Sequence, residues 1–117
     1  MSESPDCLFC KIINGEIPSK KVYEDDLVFA FEDINPVAPI HILIVPKKHI
    51  PTLNELGDED TELIGKIVQT AKMIAADKGI NEDGYRLIFN CQEKAGQTVF
   101  HIHLHILGGR TFGWPPG

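Results

Sequence analysis

The segment from residue 99 to residue 107 alternates histidine with aliphatic residues, and it constrains the fold more than any other stretch. Three of the five histidines, His101, His103 and His105, occupy every second position, and an aliphatic residue follows each of them. In an extended strand, residues two apart share a face, so the imidazoles lie on one face and the aliphatic side chains on the other. Histidines that are merely solvated, or that bind a metal, are the alternatives. The pattern favours a strand with one core face and one chemical face.

Hydrophobic periodicity and turn residues predict the remaining elements. Residues 58–78 carry apolar side chains at helical spacing, with acidic residues in the first turn and Gly79 after the end, which predicts one long helix. A short helix capped by Asp6 is predicted at residues 7–14, and strands at residues 21–24, 27–31, 41–46 and 84–90. Short loops and a single helix before the last strand pair indicate an α+β fold. We expect one domain over residues 1–117, with a five-stranded antiparallel sheet.

Charge and composition exclude several classes of partner. The chain has 17 acidic and 11 basic side chains and a net charge of −6, so it offers no basic patch for nucleic acid or anionic lipid. If the chain binds a phosphate, that ligand must therefore be small and bound by a few neighbouring groups. No apolar run approaches the ~20 residues that span a bilayer, and residues 1–5 lack the plan of a signal peptide. We expect a cytoplasmic protein without a membrane or nucleic-acid partner.

Two of the three cysteines have the spacing of a metal chelate. Cys7 and Cys10 form a Cys-x-x-Cys pair that, with His49 and one histidine of the alternating segment, would make a closed tetrahedral zinc site. A redox pair is an alternative, but redox Cys-x-x-Cys normally follows a strand, and buried thiols without a ligand are another. The pattern favours structural zinc, and Cys91 is interpreted as a cysteine that takes no part in the metal site.

The residues around the middle histidine indicate chemistry at phosphorus. A neutral imidazole at His103 is a good nucleophile toward phosphorus when its other nitrogen is held by a partner. Gln97 and Thr98 offer an amide and a hydroxyl to phosphate oxygens or to a departing group, and Gly96 allows close approach of the backbone, although a plain turn is the alternative. Asp33 would hold a ribose beside apolar side chains, or it would only open a turn.

The sheet edge and the C-terminal tail suggest a second copy of the chain. A five-stranded sheet with one covering helix leaves an edge and apolar area to cover. Trp114 lies in a proline-rich tail, where it would either contact a partner subunit or fold back on its own chain. The sequence alone leaves a homodimer and a monomer open.

The alternating segment resembles the His-φ-His-φ-His-φ-φ signature of the histidine triad (HIT) family, where φ is hydrophobic. Other segments are similar to the Hint branch of that family: Phe9, Lys11-Ile12-Ile13, Glu16-Ile17-Pro18, Glu24-Asp25-Asp26, Pro46-Lys47-Lys48-His49-Ile50, Gly96-Gln97-Thr98-Val99, Gly108-Gly109-Arg110 and Trp114-Pro115-Pro116-Gly117. The resemblance covers nearly the whole chain, and its motifs are jointly very specific.

The resemblance implies a homodimeric purine nucleoside phosphoramidase with a continuous ten-stranded sheet. It implies that His103 attacks the α-phosphorus of substrates such as AMP carrying an amine or lysine, and that water resolves the nucleotidyl-histidine. His105 and His41 would support the phosphate site. The purine nucleotide would be bound by Phe9, Ile12, Ile17, Phe31, Asp33, Ile34, Asn90, Gly96, Gln97, Thr98, His103 and His105, of which His103, His105, Gln97 and Thr98 would be catalytic.

The cysteine pair departs from the animal-type Hint pattern. Zinc-bearing relatives use two cysteines, a downstream histidine and the first histidine of the alternating segment, which here are Cys7, Cys10, His49 and His101. His101 would then be held by metal and would not act as an acid or base. Dinucleoside polyphosphate hydrolysis, a regulatory nucleotide-binding module and a metallohydrolase that uses all three alternating histidines are the other hypotheses.

Overall fold

The computed structural model describes residues 6–117, in which a five-stranded antiparallel sheet carries a long helix on one face and a short helix on the other. The strand order is β1-β2-β3-β5-β4. The elements are α1 (Leu8–Ile13), β1 (Lys21–Glu24), β2 (Val28–Glu32), β3 (Ile40–Pro46), α2 (Thr61–Asp77), β4 (Tyr85–Phe89) and β5 (Leu104–Gly108). The predicted fold class is therefore confirmed. The interpretation of residues 1–5 lies outside the described residues.

Alternation along the central strands divides the core between the two faces. Ile42 and Ile44 of β3 pack with α2, whereas Leu43 and Val45 pack with α1. Residues 41–46 are all buried, because β3 lies between β2 and β5 and has a helix on each side. The short helix α1 is thus packed on the face of the sheet opposite to α2.

Local hydrogen bonds shift three predicted boundaries. The first strand pair turns at Asp25, whose Oδ1 accepts from the backbone N–H groups of Leu27 and Val28, so β2 begins one residue late. A single 3-10 turn at Asp58–Asp60 precedes α2. Cys7, rather than Asp6, caps α1, because its Sγ accepts from the backbone N–H of Cys10 at 3.3 Å.

The alternating histidine segment is a strand only in its second half. β5 begins at Leu104, and the preceding residues leave the sheet. The backbone N–H of Ile102 donates to the carbonyl oxygen of Ile50 at 2.8 Å, which draws this segment toward the loop after β3. The prediction of a strand from residue 99 is therefore wrong for residues 99–103, so His101 and His103 stand before the strand and His105 stands within it.

The edge strand and the tail bear on self-association. β4 pairs only with β5 and forms one edge of the sheet. Trp114 is 84% exposed, so it does not fold back on its own chain, which was the alternative to a partner contact. A ten-stranded sheet in a homodimer stays a prediction. No helix within residues 6–117 has the length and apolarity that crossing a membrane requires.

Candidate functional site

Two sulfur and two nitrogen atoms converge where α1 meets the loop after β3. Nδ1 of His101 lies 3.3 Å from Sγ of Cys7, 3.6 Å from Sγ of Cys10 and 3.1 Å from Nδ1 of His49. Sγ of Cys10 lies 3.5 Å from Nδ1 of His49. All four atoms are within 4.8 Å of one another. The structure thus brings together the four residues that the sequence predicts as metal ligands.

These separations match the edges of a zinc tetrahedron. Typical zinc bond lengths place two nitrogen ligands about 3.3 Å apart, and a sulfur and a nitrogen ligand about 3.6 Å apart. Nε2 of His101 lies 2.7 Å from the carbonyl oxygen of Pro46, which can only accept, so Nε2 carries the proton. The lone pair of His101 therefore sits on Nδ1, toward the sulfurs. Burial also lowers the pKa of His101 to about 4, which keeps the ring neutral. The residues present fit a structural zinc ion.

The tautomer of His103 is fixed by the backbone. Its Nδ1 lies 2.8 Å from the carbonyl oxygen of His101, so Nδ1 donates and the lone pair is on Nε2. The Phe9 ring packs nearly perpendicular to the imidazole, with ring centroids 4.9 Å apart. Burial lowers the pKa of His103, although the hydrogen bond to His101 and the charge of Asp33 oppose this effect. A neutral imidazole with a free Nε2 lone pair is the form that attacks phosphorus.

His105 has the opposite proton arrangement. The backbone N–H of Val37 donates to Nδ1 of His41 at 3.1 Å, so neutral His41 carries its proton on Nε2. That Nε2 lies 2.9 Å from Nδ1 of His105 and donates to it, and it lies 3.4 Å from Oδ2 of Asp33. His105 consequently carries its proton on Nε2, which is the one buried side-chain polar atom in residues 6–117 without a hydrogen-bond partner.

Burial favours the neutral forms of His41 and His105. It lowers the pKa of His41, against the effect of Asp33, and it lowers the pKa of His105 to about 4, with the neighbouring histidines adding to the effect. Asp33, His41 and His105 also lie close enough to form a possible metal group. However, neutral His41 has its proton on Nε2, the nitrogen that faces the other two residues, so this group is built for a hydrogen bond rather than for a metal. The described residues thus contain one histidine cluster that fits zinc and one that does not.

A cavity of about 290 Å³ is lined both by His103 and His105 and by a group of apolar side chains. Of the predicted nucleotide-binding residues, Phe9, Ile12, Ile17, Phe31, Asp33, Ile34, Thr98, His103 and His105 line it. Ile34 is 90% exposed at its mouth. The volume and mixed lining suit a small ligand with an aromatic part and an anionic part.

Three predicted nucleotide-binding residues do not line this cavity. Asn90 follows β4, and Gly96 adopts a left-handed conformation (φ +96°) that ends a 3-10 turn. The Gln97 amide is buried; its Nε2 donates to the carbonyl oxygens of Pro51 (2.7 Å) and Val99 (3.2 Å), while its Oε1 accepts from the backbone N–H of Gln92. The structure therefore places Gln97 in support of the loop that carries Thr98.

Sequence reasoning missed two backbone groups that set the histidine tautomers. They are the N–H of Val37 and the carbonyl oxygen of Pro46. Every residue except proline has a backbone N–H, and every residue has a carbonyl, so residue identity carries no signal for either contact.

Comparisons with known proteins agree on one family. The HIT domain family matches residues 14–112. The chain is 54% identical over 106 residues to the purine nucleoside phosphoramidase of Escherichia coli K12, covering 91% of this chain and 89% of that protein. It superposes on a HIT family hydrolase from Legionella pneumophila with a TM-score of 0.94 at 55% identity (96% and 100% of the two chains), and on a histidine triad protein from Clostridium difficile with a TM-score of 0.92 at 51% identity (95% and 96%).

Proposed function

The chain belongs to the HIT domain family, and from this membership we propose that it hydrolyses purine nucleoside 5′-phosphoramidates through a nucleotidyl intermediate on His103. The observation that carries the proposal is the pair of opposite tautomers in one cavity. His103 presents a lone pair on Nε2, whereas His105 presents an N–H on Nε2. A nucleophile and a hydrogen-bond donor side by side are what phosphoryl transfer to an imidazole requires.

The first step forms a bond between Nε2 of His103 and the α-phosphorus and breaks the phosphorus–amine bond. The amine departs with the electron pair of that bond and takes up a proton from solvent water. The carbonyl oxygen of His101 stabilises the positive charge that develops on His103, since it accepts the Nδ1 hydrogen bond at 2.8 Å. The Nε2–H of His105 would donate to a phosphoryl oxygen, and the hydroxyl of Thr98, at the cavity wall, would contact the departing amine.

In the second step, water forms a bond to phosphorus and releases a proton to solvent, and the bond between phosphorus and His103 breaks with its electron pair returning to Nε2. The products are the nucleoside monophosphate and a His103 whose Nε2 lone pair is restored. Because both steps use the same nitrogen, the enzyme is returned to its starting tautomer. Gln97 would act by holding the loop that carries Thr98 and would not touch substrate.

The apolar side chains of the cavity wall would hold the purine base. Among them, Phe9, Ile12 and Phe31 are buried. Asp33 would bind the ribose hydroxyls with Oδ2, because its Oδ1 already accepts from the backbone N–H of Asn35 at 2.8 Å. The name of the E. coli relative supports the purine nucleoside phosphoramidate class.

A structural zinc ion would be held by Cys7, Cys10, His49 and His101. When bound, it would fix α1 and the segment before β5 relative to each other, and it would supply no chemistry to the reaction. The homodimer with a ten-stranded sheet is part of the same proposal and rests on the sequence resemblance, whereas the cytoplasmic location stays an expectation from the sequence.

Three other hypotheses concern the same histidines and the same cavity. A metallohydrolase that uses all three alternating histidines is not favoured, because His101 lies in one cluster of potential metal ligands, His105 in another and His103 in neither. Dinucleoside polyphosphate hydrolysis and a regulatory nucleotide-binding module would use the same cavity.

Steady-state kinetics on three substrates separates these possibilities. We expect kcat/KM for AMP-lysine and for adenosine 5′-phosphoramidate to exceed that for a diadenosine polyphosphate by at least about tenfold, which corresponds to about 1.4 kcal/mol of transition-state stabilisation. The reverse preference would indicate a dinucleoside polyphosphate hydrolase. Tight AMP binding with almost no turnover of any substrate would indicate a regulatory module.

A further inference from the structure

The peptide groups of Val37 connect the C-terminal segment to the histidines. The N–H of Val37 donates to Nδ1 of His41 at 3.1 Å, and the carbonyl oxygen of Val37 accepts from Nε of Arg110 at 3.2 Å. Val37 is 59% exposed, so burial of its side chain does little to fix its orientation. Hydrogen bonds on both sides of Val37, together with the buried Ala38 that follows it, therefore orient the N–H that is presented to His41.

Arg110 is itself held in place by neighbouring groups. Its guanidinium lies 4.3 Å from the centroid of the Phe112 ring, and its Nη1 donates to the carbonyl oxygen of Thr111 at 3.1 Å. The backbone just before it packs against the turn that precedes β3. Gly109 has φ +90°, and a Cβ there would come within 2.8 Å of Cβ of Pro39. Residues 109 and 110 are thus held beside Val37 by two contacts, which are the hydrogen bond of Arg110 to the Val37 carbonyl oxygen and the close packing of Gly109 on Pro39.

The contact of Val37 with His41 has a consequence in the cavity. Because Nδ1 of His41 accepts the Val37 N–H, Nε2 of His41 donates to Nδ1 of His105, and the proton of His105 is on Nε2. If the Val37 N–H moved away, only Nδ1 of His105 and Oδ2 of Asp33, the latter at 3.4 Å, would still favour the proton on Nε2 of His41, and the tautomer with the proton on Nδ1 would become accessible. The constraint that leaves the Nε2–H of His105 for a ligand would then weaken.

We propose that Arg110 is a positioning residue for the reaction and acts through Val37 and His41 to keep the donor proton of His105 on Nε2. This rests on the proposed function insofar as the donor serves a phosphoryl oxygen. Arg110 does not line the cavity. Its effect on the substrate would therefore pass through Val37, His41 and His105. A lysine at position 110 keeps the positive charge but lacks the Nε–H of the guanidinium.

Arg86 provides a matched control. It also lies over the Phe112 ring, at 5.3 Å, and its Nη2 donates to the carbonyl oxygen of Gly113 at 2.9 Å. It therefore holds the same tail with the same chemistry, but its hydrogen bond goes to the tail and not to Val37. A purely structural role of the tail would make Arg86→Lys and Arg110→Lys behave alike.

The experiment measures ring ¹⁵N chemical shifts of His41 and His105 in the full-length, zinc-loaded protein without substrate, together with kcat/KM for adenosine 5′-phosphoramidate. In Arg110→Lys we expect both histidines to shift toward a mixture of tautomers and kcat/KM to fall about three- to tenfold, as for loss of one hydrogen bond. Arg86→Lys is expected to leave both readouts as in the unmodified protein.

Three results would overturn the proposal: unchanged ring shifts in Arg110→Lys, equal effects of the two substitutions, or altered ring shifts without a fall in kcat/KM. The ring shifts require no turnover. If the unmodified protein does not hydrolyse the phosphoramidate, the proposed function fails, and the shifts still decide whether Arg110 sets the tautomers.

Discussion

His101 holds His103 through its backbone while its own ring faces the cysteines. The carbonyl oxygen of His101 accepts the Nδ1 hydrogen bond of His103 at 2.8 Å, and Nδ1 of the His101 ring lies 3.3 Å from Sγ of Cys7. The orientation of the proposed nucleophile is therefore set by a residue that the metal site would immobilise. Phe9, which follows Cys7 by two residues, packs on the same His103 ring.

Removal of one proposed zinc ligand is expected to weaken both stability and catalysis. In Cys7→Ser we expect zinc content well below one per chain and a melting temperature lower by about 10 °C, because metal binding contributes to the free energy of folding. We also expect kcat to fall, since His101 loses its anchor. Metal analysis and thermal unfolding measure these effects. Cys91→Ser is the control, because Cys91 lies outside the cluster; similar behaviour of the two variants would contradict the assignment.

Substitution of Asp33 is expected to affect substrates that carry ribose most. Asp33→Asn keeps Oδ1 as the acceptor for the Asn35 N–H, so the turn is preserved, but a neutral amide binds two hydroxyls less well than a carboxylate. We expect kcat/KM for an AMP phosphoramidate to fall about 10- to 100-fold, in line with the loss of a charged hydrogen bond. The 2′-deoxy substrate is expected to lose much less. An equal loss for both substrates would show that Asp33 does not bind ribose.

Acid is expected to destabilise the folded protein through His105. Burial lowers the pKa of His105 to about 4, whereas an unfolded histidine titrates near about 6.5. Between these values the unfolded chain binds more protons, so the free energy of unfolding falls as pH falls from about 6.5 toward about 4. Urea unfolding at about pH 7.5 and about pH 5 measures the loss. His105→Gln cannot titrate and is expected to lose less stability; an identical loss would contradict the assignment.

Sequence reasoning found the side chains of the site more readily than their arrangement. Cys7 and Cys10 are identifiable because their chelate spacing is a local property of the sequence. His49 and His101 lie 39 and 91 positions from Cys10, and the complete set of four is predicted only through the family resemblance. The start of β5 was misplaced because the N–H of Ile102 bonds to Ile50, a contact between residues 52 positions apart that alternation does not reveal.

Gln97 shows the same limitation for a polar side chain. A Gly-Gln-Thr turn before a row of histidines suggests a phosphate contact, but the Gln97 amide is occupied by the carbonyl oxygens of Pro51 and Val99. Which of several partners an amide chooses depends on loops that are remote in sequence. The tautomers of His101 and His41 likewise depend on backbone groups of Pro46 and Val37, which no residue pattern identifies.

The central claim is that His103 forms the bond to phosphorus, and a single-turnover experiment tests it most directly. Enzyme in excess is mixed with adenosine 5′-phosphoramidate labelled at phosphorus, quenched rapidly at a series of times and digested for peptide mapping. The account predicts that label appears on the peptide containing His103, at that residue, before AMP accumulates, and that His103→Ala neither takes up label nor turns over. Label on another residue, or release of AMP by His103→Ala at the full rate, would contradict it.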